Sequence, residues 1–389
     1  MVDYKFEQKV KVAVTENLSE ALSETLHMNG WTKPLVVIDS FLLDTPIIKG
    51  LFQDFKDGSI LYHVYDKVIP EPPMEIIDQG AVEFMKYGCD CIIAIGGGSV
   101  IDSARGINIV RVNGGTISEY VELKQVKERC HGLIAIPTTS GTGSELSNAL
   151  VVTDTKENKK LAVLADEAVS EYVILDPHLT ASMPKGLTVQ TGLDVFAHAA
   201  EAYTSNLSTP VVDAICEKVM FLVTKYLPKA ANDGRDLEAR ERMMIAATLG
   251  GWVINNGGTH LGHSIGHIIG AQYHIPHGMA CAYALPGVLI HTAKVKANKI
   301  REIGNILSLD LDEHLTNEEL GKIVARGYIA FRDEVLGLRK FDEFHISTEE
   351  IIGLYKEVQN ERFAQNTPFG LDDATVKEIL SYYGKGELE

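Results

Sequence analysis

From Met243 to Thr292 the chain carries no Asp, Glu, Lys or Arg, yet it holds six histidines. The whole chain is 23% charged, so a segment this long would carry roughly a dozen charges on composition alone. A stretch without charges belongs in an interior. Imidazoles placed there need partners, because an unsatisfied buried polar group costs free energy. His260, His263, His267, His274 and His277 fall within eighteen residues, and His291 follows. Imidazole is the commonest side-chain metal ligand, so several at helical spacing in one buried segment point to a metal site. The segment does not read as a membrane span. Asn255, Asn256, Gly257, Gly258 and the histidines interrupt every apolar run well short of ~18 residues.

A chain of 389 residues suggests two or three domains with ample core. The net charge of −17 argues against nucleic acid and anionic membrane as partners. Cys89, Cys91, Cys130, Cys216 and Cys281 form no C-x-x-C pair, which reads as free thiols in a reducing compartment. The opening MVDYKFEQKV has charges throughout and no apolar core of a signal peptide. These features together predict a soluble, cytoplasmic protein.

The first half alternates two textures. Short β-branched runs without polar alternation occur at Leu35–Ile38, Cys91–Ile95, Leu133–Ile136 and Val173–Leu175, as in a parallel sheet covered on both faces. Helical periods precede and separate them, at Leu18–Met28, Met74–Tyr87 and Ser99–Val110. After the break at Ser182-Met183-Pro184-Lys185-Gly186, strand signals nearly vanish. Long helical periods follow at Thr188–Ser205, Thr209–Tyr226, Leu237–Asn255 and Gly262–Gln272. The reading is an α/β domain over 1–184 and an all-helical domain over 185–389.

Asp194 and His198 stand four apart in LDVFAHAAEAY, on one helix face among apolar neighbours. A buried carboxylate there requires a cation or several donors. His263 and His267 repeat the spacing. His277 follows Pro276, which should end any helix and present the imidazole from an extended turn. One Asp and three His suit Zn²⁺ or Fe²⁺, with geometry and supply choosing between them. His260 and His274 are read as supporting or surface residues.

Two polar, glycine-bearing loops follow strands. Gly96-Gly97-Gly98-Ser99 precedes a helix whose N-terminus favours an anion such as pyrophosphate. Ser99 and Asp102 also have the spacing of a capping box, with Ser99 as N-cap. Pro137-Thr138-Thr139-Ser140-Gly141-Thr142-Gly143-Ser144-Glu145 follows the next strand. Two such cradles at one sheet edge fit a dinucleotide better than a monophosphate. Asp39 ends the run LVVID, where an acid can accept from a ribose 2′-hydroxyl and repel a 2′-phosphate.

Four motifs in one order, GGGSVID at 96–102, IPTTSGTGSE at 136–145, LDVFAHAAEAYTS at 193–205 and GHSIGHIIGAQYHIPHG at 262–278, resemble the iron-dependent, group III alcohol dehydrogenases. The resemblance implies a dehydroquinate-synthase-like fold: a dinucleotide-binding α/β N-terminal domain and an all-α metal-binding C-terminal domain. It implies Asp194, His198, His263 and His277 as metal ligands, and His267 as an unligated catalytic histidine near the nicotinamide. Gly97, Gly98, Ser99 and Asp102 would hold the pyrophosphate. Thr138, Thr139 and Thr142 would line the cofactor cleft, Lys160 would reach the ribose, and Asp39 would select NAD over NADP. Many members carry Asn-Pro where this chain has Glu71-Pro72, and their TNPR-like element is altered here to Asn366-Thr367-Pro368-Phe369. The implied function is hydride transfer between NAD(H) and a small primary alcohol or aldehyde, with Fe²⁺ (or Zn²⁺) as the metal and a homodimer as the assembly. The competing readings are a polyol dehydrogenase of the same fold and a metal-binding protein without catalysis.

Overall fold

The apolar runs of the first half become the middle of one sheet. The computed structural model describes residues 4, 7–122, 124–155 and 159–388. Its strands are β1 (Lys11–Val14), β2 (Pro34–Ile38), β3 (His63–Tyr65), β4 (Cys91–Gly96), β5 (Leu133–Pro137), β6 (Ala149–Asp154), β7 (Lys159–Leu164) and β8 (Tyr172–Leu175). Six form a parallel sheet in the order β1-β8-β5-β4-β2-β3. β6 and β7 form a separate antiparallel hairpin. Every residue of β2, β4, β5 and β8 is buried, which explains their lack of polar alternation.

The helices of this half are α1 (Leu18–Asn29), α2 (Pro46–Asp57), α3 (Met74–Tyr87), α4 (Gly98–Asn113) and α5 (Ile117–Glu122). The chain leaves β2 for the edge strand β3 and returns to β4 on the other side of β2, so the winding reverses there. Ligands of open α/β sheets bind outside the carboxyl ends of strands at such a reversal. Asp39, the glycine loop after β4 and Thr138–Thr139 all lie at those ends.

The second half is helical: α6 (Lys185–Thr204), α7 (Pro210–Asn232), α8 (Leu237–Gly257), α9 (Leu261–Tyr273), α10 (His277–Ile306), α11 (Asn317–Ala330), α12 (Thr348–Gly353), α13 (Tyr355–Asn360) and α14 (Asp373–Ser381). From Leu193 to Thr204 every residue of α6 is buried, as a helix apolar on all sides must be. By contact density the chain forms two compact units. One comprises Glu7–Thr139 and Gly143–Ser182; the other runs from Met183 onward and includes Ser140–Thr142. No helix among the described residues is long and apolar enough to cross a membrane.

Three features depart from the sequence reading. β1, β3 and the β6–β7 hairpin carry no clear signal, because they are short or mix exposed and buried positions. The capping box at Ser99 does not form. The helix starts at Gly98 with Gly97 as its N-cap, so Ser99 already lies in the first turn. Asp102 instead accepts from the Val151 backbone N–H at 3.0 Å, tying α4 to the hairpin. Pro276 does not leave His277 in an extended turn either. α9 closes at His274 in left-handed conformation (φ 54°), and Pro276 caps the next helix, of which His277 is the first residue.

Candidate metal centre and cofactor loops

α6, α9 and α10 bring four donors to one point. Asp194 Oδ1 lies 3.8 Å from His198 Nε2, 3.8 Å from His263 Nε2 and 3.6 Å from His277 Nε2. One ligand atom from each of the four residues lies within 4.8 Å of all the others. Tetrahedral N/O donors at about 2.0–2.1 Å from a metal stand roughly 3.4 Å apart. The three distances from Asp194 Oδ1 are therefore within a few tenths of an ångström of the span a cation needs. Asp194 Oδ1 and His263 Nε2 are buried and have no hydrogen-bond partner among the described residues. Buried polar atoms are ordinarily paired, and a cation between these donors would satisfy both at once.

Electrostatics agree with that fit. Burial lowers His198 and His263 to about 4, so both imidazoles are neutral near pH 7, as metal ligation requires. Burial opposes ionisation of Asp194, but the surrounding imidazoles outweigh it and hold the carboxyl below its usual value. The result is one carboxylate facing three imidazoles, a donor set of net charge −1. His277 keeps 40% of its side chain accessible, so the cluster is open on that side.

His267 stays out of the donor set. Its ring stacks on His277 at 5.2 Å between centroids, and its Nδ1 lies 3.2 Å from Glu361 Oε1. Glu361 also accepts from the Ser264 hydroxyl at 2.7 Å and from the Phe363 N–H at 2.8 Å. Glu201, one turn beyond His198 on α6, accepts from His263 Nδ1 at 2.7 Å. The sequence reading gave neither acid a role. Glu201 had a signal, since it is a second acid on the Asp194–His198 face; Glu361 had none, since it arrives from a distant segment. His260, read as a supporting residue, is buried on Thr204 Oγ1 at 2.9 Å, and His274 is exposed.

In the α/β unit Asp39, Gly97, Gly98, Ser99, Asp102, Thr138 and Thr139 lie on or beside the first turns of α4, whereas Lys160 lies on β7. The N–H of Gly97 donates to the Asp39 carboxylate, whose burial raises its pKa against that bond. Gly98 and Ser99 form the open first turn of α4. β4 and β5 are paired neighbours; the Thr138 N–H donates to the Gly96 carbonyl at 3.0 Å, and Thr139 faces Gly97. Thr142 groups with the helical unit. Asp102 is buried, raised to about 6 by desolvation and faced by Arg105 at 3.6 Å. Lys160, on β7, is paired with Glu71 at 2.5 Å. Glu71 has φ 56°, a left-handed conformation that Asn tolerates better than Glu.

Comparison with known proteins gives one family. Residues 10–177 match the iron-containing alcohol dehydrogenases, and residues 188–383 match the C-terminal part of the Fe-containing alcohol dehydrogenase family. An NAD-dependent methanol dehydrogenase of Bacillus methanolicus is 32% identical over 353 residues, 90% of this chain and 91% of its own. Alcohol dehydrogenase 4 of Schizosaccharomyces pombe is 34% identical over 310 residues, 79% of this chain and 72% of its own. The solved structure of an alcohol dehydrogenase from Oenococcus oeni superposes with a TM-score of 0.90 at 27% identity, covering 97% of this chain and 99% of the other.

Proposed function

Because the chain belongs to the iron-containing alcohol dehydrogenase family, we propose that it interconverts a small primary alcohol and its aldehyde with NAD(H), and that Asp194, His198, His263 and His277 hold its metal. The observation that carries the metal assignment is the convergence of four donors, two of them with buried ligand atoms that have no hydrogen-bond partner among the described residues. Iron follows the family; the same donor set also suits zinc. Bound there, the metal supplies Lewis-acid polarisation of the alcohol or aldehyde oxygen.

The chain's own residues do the rest. Gly97, Gly98 and Ser99 open the N-terminus of α4 to a pyrophosphate, with Asp102 beneath them. Thr138, Thr139, Thr142 and Lys160 line the cofactor. Asp39 accepts from the ribose hydroxyls of NAD and repels the extra phosphate of NADP. Glu361 accepts from His267 Nδ1, which leaves Nε2 free to take up or release a proton during turnover. The open face of His277 is the side from which a small substrate approaches the cluster. Residues 1–184 serve as the dinucleotide-binding domain and 185–389 as the metal-binding catalytic domain.

Metal analysis and NADH fluorescence on the same samples test this assignment. Asp194→Asn should lose stoichiometric metal and keep NADH binding. A variant that keeps its full metal content would refute the ligand set.

A further inference from the structure

Glu201 is a carboxylate sealed in the helical unit, with a side chain only 1% exposed. It makes three hydrogen bonds to one short segment. Oε2 accepts from the backbone N–H of His260 at 2.7 Å and of His263 at 3.2 Å, and Oε1 accepts from His263 Nδ1 at 2.7 Å. The two N–H groups belong to the start of α9, where helical donors have no partner inside the helix. The seat is shaped for the acid. A Cβ on Gly262 would lie 2.4 Å from Oε1 and 2.9 Å from Cδ, so any larger residue would drive the carboxylate out.

A carboxylate can only accept, so the proton of His263 must sit on Nδ1. The lone pair of Nε2 then points toward Asp194, and that nitrogen has no hydrogen-bond partner among the described residues. We propose that Glu201 is a positioning residue of the metal centre, fixing the tautomer and ring orientation of His263 so that Nε2 is ready to bind a divalent cation. This inference rests on the metal-site reading above. Acids that hold a ligating histidine in this way commonly account for 10–100-fold in metal affinity.

Glu201→Gln separates this role from simple packing. The amide has nearly the same shape but one acceptor and one donor in place of two acceptors. If its oxygen keeps the two backbone N–H groups, its NH₂ meets Nδ1, and the imidazole proton must move to Nε2, where it blocks the metal. If the amide turns over, NH₂ meets two backbone donors.

The experiment measures the Zn²⁺ dissociation constant of metal-free protein by competition with a chelating dye, alongside thermal unfolding of the same samples. Wild type, Glu201→Gln, Gly262→Ala and Asp194→Asn are compared. Glu201→Gln should bind Zn²⁺ roughly 10–100-fold more weakly while the metal-free protein still melts cooperatively, and Gly262→Ala should weaken binding too. Affinity within about twofold of wild type in Glu201→Gln would overturn the role of Glu201 and leave the metal site standing. A metal-free Glu201→Gln protein that does not fold at room temperature would also overturn it, by assigning Glu201 to the core. Equal affinity in wild type and Asp194→Asn would overturn the metal-site reading itself.

Discussion

Gly278→Ala places one methyl group where two helices touch. An ideal Cβ at Gly278, in the first turn of α10, would lie 2.2 Å from the Gln190 carbonyl oxygen of α6 and 3.1 Å from Asp194 Cβ. A comfortable carbon–oxygen contact is about 3.3 Å, so the helices must part by about 1 Å. The obstacle is backbone, and no side-chain rotation relieves it. Overpacking of this kind costs about 1–3 kcal/mol, partly offset by the ~1 kcal/mol by which Ala favours a helix over Gly. The local effect is larger. His277 precedes Gly278, and its Nε2 sits 3.6 Å from Asp194 Oδ1. A shift of about 1 Å there is a large part of that distance, and misplacements of this size cost up to roughly 10²-fold in function. The variant should therefore melt only slightly earlier yet bind Zn²⁺ at least roughly tenfold more weakly in a dye-competition titration. Wild-type affinity in Gly278→Ala would show that the α6–α10 contact does not set the position of His277.

His267→Ala should keep its metal and lose roughly 10²–10⁴-fold in turnover; unchanged turnover would remove His267 from the chemistry. Asp39→Ser should raise the NADPH-to-NADH ratio of kcat/KM by about tenfold, the effect of removing ~1.4 kcal/mol of like-charge repulsion, and an unchanged ratio would free Asp39 from cofactor choice. Metal-free protein should lose stability as pH falls from about 6.5 toward 4. Burial lowers His198, His260 and His263 to about 4 in the fold, so in this window the unfolded chain binds up to three more protons and stability drops by up to about 4 kcal/mol per pH unit. Above about pH 7.5 these groups are almost wholly neutral in both states and contribute little slope. Urea midpoints that stay flat between pH 7 and 5 would contradict the buried, neutral state of these imidazoles.

Much of the site was legible because its parts are dense in sequence. Asp194 and His198 share one helix face by spacing alone, and the charge-free segment supplies His263, His267 and His277 within one helix and the start of the next. The strands with two covered faces were legible for the same reason: burial on both sides leaves an unbroken apolar run. What escaped depends on contacts between distant residues. Asp102 has the spacing of a cap, yet its bond to Val151 N–H spans 49 positions and helix α4 starts one residue earlier than Ser99. Pro276 reads equally well as the end of one helix or the cap of the next, and only the left-handed turn at His274 decides it. Glu361 reaches His267 across 94 positions, which no local pattern records. Glu71 departs from the familiar Asn-Pro in sequence, and its partner Lys160 becomes visible only when β7 is placed beside it.

The most direct test is NADH oxidation by metal-stripped protein reloaded anaerobically with Fe²⁺ or with Zn²⁺, assayed across a panel of short-chain aldehydes with Asp194→Asn in parallel. Turnover should be absent without metal, return on reloading for the wild-type protein, and fail to return for Asp194→Asn. Turnover that survives complete removal of the metal, or that returns equally in Asp194→Asn, would contradict a metal-dependent oxidoreductase centred on Asp194, His198, His263 and His277.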